Sequence, residues 1–277
     1  MNGQTTNHDD VASVMTTKML ESNCQISSPS DVPWHEYNIH QIENDHDVEH
    51  DEHEQSVFDI FQVAEPLDVV DFNFANLPTI QVQCQENYTQ STGMAIWLGA
   101  EVLASWLVQQ QNPNLVQGKK VLEVGAGAGL CGIVTFHLKA SKVVMTDGDL
   151  HVLTNLRYNV QHNNIANNNR DEGCTCQQLI WGQNVQEFLE LHGQFDIILG
   201  SDLFYMTKSL KPLFSTVDQL LAPQGIFLVC STCANQHPME HILKIAEELG
   251  FSGTEEAPNI YKFRRKEEQC NTNDHVS

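Results

Sequence analysis

From Val121 to Phe263 the sequence alternates two kinds of apolar pattern, and this alternation limits the fold more than any other feature. Short apolar runs predict strands at Val121-Leu-Glu-Val124, Val143-Val-Met145, Gln178-Leu-Ile-Trp181, Phe195-Asp-Ile-Ile-Leu199 and Ile226-Phe-Leu-Val-Cys230. Between them, apolar residues recur at helical spacing. The sets are Leu130, Ile133, Val134 and Leu138, then Val152, Leu153, Leu156 and Val160, then Val185 to Leu191. Leu210, Leu213, Phe214, Val217, Leu220 and Leu221 form the clearest helical face, with Pro223 and Gly225 as stops. Met239, Ile242, Leu243, Ala246 and Leu249 make another, ended by Gly250, and Ile260-Tyr-Lys-Phe263 predicts a closing strand. Strand–helix units with continuously apolar strands imply an α/β fold, a parallel sheet covered on both faces. Such sheets bind ligands beyond the carboxyl ends of their strands, near the switch in strand order. No repeat of solenoid period is present.

Upstream, Asp68 to Phe74 and Thr79 to Cys84 alternate apolar with polar residues around Asn76 and Pro78. They predict a strand pair over 66–84 with one face buried. A helix over 94–108 follows, with Ser91-Thr92 as its cap and Trp97, Ala100, Leu103, Ala104 and Leu107 on one face. The catalytic-size domain thus spans 66–266, and 267–277 form a polar tail. Residues 1–60 hold 13 acidic residues and one basic residue, Lys18, with few apolar ones. Ordering that segment costs more entropy than its burial returns, so it is expected to be a disordered extension.

Charge excludes some functions. The formal net charge is -22. Such a surface repels phosphate backbones and anionic lipid, so neither nucleic acid nor membrane is an expected partner. The polar start, Met1 to Asp10, lacks an apolar signal core, and no run approaches the ~20 apolar residues of a membrane span. A cytoplasmic, or else nuclear, protein with reduced thiols is expected. Cys174, Cys176, Cys230 and Cys233 could be zinc ligands, and His46, His50 and His53 have helical spacing. The cysteine pairs are far apart and Cys230 lies in a buried strand, while the histidines sit in a solvated charge run, so no metal is expected.

The chemistry lies just after the strands. Gly125-Ala126-Gly127-Ala-Gly129 follows the first one. Glycines let a turn approach a ligand closely, and the next helix offers N–H groups. The third glycine comes one residue too early for a dinucleotide fingerprint, which disfavours a dehydrogenase. Glu123 would repel a pyrophosphate and suits a cation such as an amino-acid ammonium. The bland reading of the glycines is a tight turn. Asp147, about 20 residues on, is placed to accept ribose hydroxyls. It could instead cap the following helix, although Asp149 can do that. Trp181 can stack on a purine or simply fill the core. A ligand with a nucleoside, an ammonium and no pyrophosphate is S-adenosylmethionine. After the fourth strand, Asp202 and Tyr205 can hold an incoming amine, or they are a helix cap and a core tyrosine.

These residues carry a resemblance. Thr92-Gly-Met-Ala-Ile-Trp97, Val121-Leu-Glu-Val-Gly125-Ala-Gly127, Thr146-Asp147, Trp181-Gly182 and Asp202-Leu-Phe-Tyr205 resemble the seven-strand, methyltransferase-like protein-lysine methyltransferases. The resemblance covers about 66–266. It implies the class I S-adenosylmethionine-dependent methyltransferase fold, a mostly parallel seven-stranded sheet with helices on both faces and its last strand antiparallel. It implies cofactor contacts at Trp97, Gly125, Ala126, Gly127, Asp147, Trp181 and Ser201, and a substrate lysine beside Asp202 and Tyr205. Ser201 is more polar than the small residues common there, and Leu203-Phe204 selects no substrate. The expected function is methyl transfer from S-adenosylmethionine to a lysine nitrogen of a protein substrate. The acidic N-terminus could recruit a basic partner. The rivals are a small-molecule N-methyltransferase of the same fold and a non-catalytic cofactor-binding module. A nucleic-acid methyltransferase lacks support from charge and from the residues after strand four.

Overall fold

The computed structural model describes residues 67–85, 91–110, 115–165, 173–232 and 238–266. All of them belong to the unit that begins at Val63. The acidic extension, His46, His50, His53, Cys233 and the polar tail lie outside the described residues.

Seven strands form one sheet: β3 (Lys120–Val124), β4 (Lys142–Asp147), β5 (Gly173–Gln178), β6 (Phe195–Ser201), β7 (Leu221–Cys230), β8 (Phe251–Ala257) and β9 (Ile260–Arg265). Their order is β5-β4-β3-β6-β7-β9-β8. The pairs β5-β4, β4-β3, β3-β6 and β6-β7 are parallel, and β9 is antiparallel to both β7 and β8. The order reverses at β3, so the switch point lies between β3 and β6.

The apolar strands split between two cores by parity. Val121, Val143, Met145, Ile197, Leu199 and Leu228 face one layer. That layer contains α1 (Leu98–Gln109), α2 (Leu130–His137) and α3 (Leu150–His162). Leu122, Val144, Ile198, Phe227 and Val229 face the other. There lie α4 (Val185–His192), α5 (Thr207–Leu220) and α6 (Met239–Glu248). Phe214 anchors this second core, its ring 5.4 Å from Phe263 and 5.5 Å from Phe251.

The expected strand pair is the antiparallel hairpin β1 (Asp68–Phe72) and β2 (Ile80–Cys84). Ile80, Val82 and Cys84 are buried, whereas β1 is largely exposed.

Three boundaries differ from expectation. The helix expected over 94–108 begins at Leu98; Thr92–Met94 form a single 3-10 turn, and Ser91 Oγ donates to Asp149 Oδ2 rather than capping. The strand expected at Gln178–Trp181 ends at Gln178, so Leu179, Ile180 and Trp181 fall in the following loop. α5 runs directly into β7, so Pro223 and Gly225 lie inside the strand's first half. β8 was not among the expected strands. Among the described residues, no helix is long and apolar enough to cross a membrane.

Candidate active site

A cleft of about 400 Å³ opens at the carboxyl ends of β3, β4, β5 and β6. That volume suits a small-molecule ligand. Its floor is the glycine turn after β3. Gly125, Gly127 and Gly129 have φ of +61°, +54° and +93°, a left-handed sequence that side chains resist. Space is also tight: a Cβ at Gly125 would lie 2.7 Å from the Leu203 side chain, and one at Gly127 would lie 3.0 Å from the Gly93 carbonyl. The Thr92–Met94 turn therefore crosses the glycine turn at close range. Ala126 N donates to Thr146 O at 2.8 Å, tying the turn to β4.

Asp147 stands at the end of β4 and lines the cleft. Its Oδ2 accepts from Gly127 N at 3.1 Å and its Oδ1 from Asp149 N at 3.0 Å. Burial raises its pKa above the usual carboxylate value, and these N–H donors oppose the shift. Asp149 caps α3, accepting from His151 N at 2.8 Å, so the capping role considered for Asp147 belongs to its neighbour. Trp97, Gly125, Ala126, Gly127, Trp181, Ser201, Asp202 and Tyr205 all line the same cleft. Trp97 Nε1 donates to Thr92 O at 2.8 Å, which fixes its ring against the 3-10 turn.

Two expectations change here. Glu123 does not line the cleft: it is 1% exposed, and its Oε2 accepts from Gly132 N at 2.8 Å inside α2. It shares strand parity with Val121 and so points into the α1–α3 layer, away from any ammonium in the cleft. Asp202, expected to grip an amine, has both oxygens engaged by the protein. Oδ2 accepts from Gly99 N at 2.8 Å, and Oδ1 accepts from Thr232 N at 2.6 Å. Thr232 Oγ1 donates between the two at 3.0 Å.

The middle of the Asp202-Leu-Phe-Tyr205 segment explains its geometry. Leu203 and Phe204 are buried, Leu203 against Gly125 and Gly200, and Phe204 with its ring 6.3 Å from Phe214. These anchors leave Tyr205 at the cleft mouth, 41% exposed. Partial burial and the charge of Asp147 push its phenol pKa up, so it stays a hydrogen-bond donor.

Sequence reasoning missed several lining residues, among them Gly93, Ala100, Val152, Met206 and Ser209. Gly93 had a readable signal, a glycine amid apolar residues, which marks close backbone approach. The others are ordinary helix and loop residues. Among the described residues, no Lys, Arg or His lines the cleft, whereas Asp147, Asp149 and Asp202 do. No group of His, Cys, Asp and Glu among them could hold a metal ion.

Comparison with known proteins adds a family. A family model described as lysine methyltransferase matches residues 76–248. EEF1A lysine methyltransferase 3 of Xenopus tropicalis is 29% identical over 193 residues, 67% of this chain and 81% of that protein. Protein N-lysine methyltransferase METTL21A of Mus musculus is 28% identical over 202 residues, 72% of this chain and 88% of that protein. Among solved structures, the T. thermophilus 16S rRNA N2 G1207 methyltransferase RsmC has a TM-score of 0.52 at 19% identity. That match covers 72% of this chain and 50% of the other, and the likeness is one of fold.

Proposed function

This chain belongs to the lysine methyltransferase family, and on that premise we propose that the cleft is its methyl-transfer site, with Tyr205 beside the incoming lysine. The family reaction is S-adenosylmethionine-dependent methyl transfer to a lysine nitrogen of a protein. When bound, S-adenosylmethionine supplies an electrophilic methyl group on a sulfonium.

The observation that carries the site assignment is the joining of the glycine turn to Asp147 in one cleft. Gly127 N and Asp149 N hold the carboxylate still while each oxygen keeps acceptor capacity, which suits the two hydroxyls of a ribose. The left-handed glycines give Gly125, Ala126 and Gly127 the close backbone approach a ligand needs. Trp181 supplies an aromatic face for the adenine, and Trp97 and Ser201 complete the cofactor wall. Tyr205 offers its hydroxyl oxygen as an acceptor for a lysine N–H at the mouth, which leaves the nitrogen lone pair for the methyl. The amine attacks as a neutral group, so its proton leaves first, to water or to a carboxylate of the lining. Holding amine and methyl in line supplies much of the rate.

The partner is a protein bearing the target lysine. The charged residues of the described lining are all acidic, which favours a cationic side chain and disfavours phosphate, against a nucleic-acid or membrane partner. The net charge of -12 over residues 1–60 supports recruitment of a basic protein by that segment.

The test is transfer of labelled methyl from S-adenosylmethionine into lysate of cells lacking the protein. Wild type should label a protein at lysine, and Asp147→Ala should lose cofactor affinity by about 10-fold or more, with the label. Label confined to small molecules would instead favour a small-molecule N-methyltransferase. No label and no cofactor binding would remove the catalytic reading.

A further inference from the structure

Asp202 has an unusual backbone. Its φ is +49°, a left-handed conformation that a non-glycine residue adopts at some cost. The turn is fixed from below by Asp202 N donating to Cys230 O at 2.8 Å. The result is to bury the carboxylate, 8% exposed, where three elements meet: the end of β6, the end of β7 and the start of α1.

The first turn of a helix leaves N–H groups without partners in the helix itself. In α1 the residue at the cap position is Trp97, and no side-chain cap bond is made there. Asp202 Oδ2 fills that role across 103 residues, accepting from Gly99 N at 2.8 Å. A negative charge at a helix N-terminus is also electrostatically favourable. Gly99 is required for the contact, because a Cβ there would lie 2.5 Å from Oδ2. Thr232 holds the second oxygen with its N–H, at 2.6 Å, and its hydroxyl reaches both. Gly99 sits between Trp97 and Ala100, which both line the cleft.

We infer that Asp202 is a positioning residue: its carboxylate caps α1 from another element and locks to Thr232, holding the Trp97–Ala100 wall of the cleft in place for methyl transfer. This rests on the reading of the cleft as the methyl-transfer site. Gly99 and Thr232 become parts of the same device, although neither touches a reacting atom. A residue that gripped the lysine would need open acceptor sites; here three donors from the protein occupy most of them.

The experiment compares wild type with Gly99→Ala, Thr232→Val, Thr232→Ser, Asp202→Asn and the Gly99→Ala/Asp202→Asn double variant. Each is assayed for kcat and KM on the protein substrate and for affinity toward S-adenosylhomocysteine. Thr232→Val should lower kcat several-fold and Thr232→Ser should restore it. Gly99→Ala and Asp202→Asn should each lower kcat and cofactor affinity by about 10-fold or more, as expected for a displaced charged hydrogen bond. KM for the lysine substrate should change little. The double variant should be no worse than the poorer single one, because both break one clamp. A raised lysine KM in Asp202→Asn, with unchanged cofactor affinity and silent Thr232→Val and Gly99→Ala, would overturn the clamp and make Asp202 a direct lysine ligand. Failure of the methyl-transfer reading itself would look different: wild type would neither bind the cofactor nor turn over. Thr232→Val leaves backbone space unchanged, so it decides the matter even if Gly99→Ala does not fold.

Discussion

Glu123 lies beneath the glycine turn with its carboxyl sealed from water. Burial pushes its pKa up to about 8, against the opposing pull of the Gly132 N–H and the Cys131 thiol. The folded protein therefore holds a proton on Glu123 at neutral pH. Below the ordinary value of 4.5 the folded and unfolded chains both carry that proton, and the stability of the neutral buried group is fully present. As pH rises from there toward about 8, the unfolded chain has lost the proton and the folded chain has not. Stability then falls by about 1.4 kcal/mol per pH unit from this group, and the loss is complete above its folded pKa. Glu123→Gln keeps an oxygen for Gly132 N and removes the titration. The glutamine variant should gain stability relative to wild type steadily as pH rises, by a few kcal/mol in all. Denaturant unfolding across about pH 5 to 9 measures it; a gap between the two proteins that does not change with pH would refute the buried proton. The orientation was readable in the sequence. Strand parity puts Glu123 on the side of Val121, a signal that the ammonium reading leaves unused.

At the scale of elements, the hairpin β1–β2 is held by asparagines. Gln81 and Gln83 turn their backbone groups away from β1 and toward α3. Asn163 Oδ1 accepts from Gln81 N at 3.1 Å while its Nδ2 donates to Gln81 O at 2.8 Å. One helical turn earlier, Asn159 does the same for Gln83, accepting at 2.8 Å and donating at 3.0 Å. Two side-chain amides thus stand in for a neighbouring strand. Asn159 also donates to Ala128 O at 2.9 Å, which ties the hairpin to the glycine turn. Asn159→Ala would leave Gln83 N and Ala128 O without these partners; Gln83 O keeps Asn155. At about 1–3 kcal/mol per buried orphan, the variant should lose roughly 2–6 kcal/mol of stability. A shift in urea midpoint worth less than about 0.5 kcal/mol would show that water replaces the amide freely. The same scale explains which elements could be read in advance. The inner strands β3, β4, β6 and β7 are apolar on both faces and announced themselves. The edge strands β5 and β8, Gly173-Cys-Thr-Cys-Gln-Gln178 and Phe251-Ser-Gly-Thr-Glu-Glu-Ala257, are mostly polar, β5 half-buried and β8 largely exposed. Their apolar signal is weak for that reason, so one was misplaced and the other missed.

Over the whole molecule, charge and cleft point the same way. The protein carries a formal charge of -22, and the three carboxylates in its cleft lining give the cleft a negative potential. Under the proposed function, a lysine-bearing basic substrate is drawn toward that field before any contact forms. Salt weakens the attraction, because the screening length shrinks to about 10 Å at 0.1 M. The Gly127–Asp147 part of the cleft is partly buried, so salt should affect cofactor binding there much less. Raising ionic strength from about 0.05 to 0.2 M should therefore raise KM for the protein substrate several-fold. It should leave kcat and the KM for S-adenosylmethionine nearly unchanged. Steady-state kinetics with each substrate varied in turn gives all three numbers. A flat protein KM would mean that recognition rests on contacts at the cleft mouth, around Tyr205, and that the acidic surface serves solubility alone. A rise in protein KM together with the cofactor KM would mean that salt loosens the cleft itself, which would make the Gly127–Asp147 and Gly99–Asp202 bonds the first places to look.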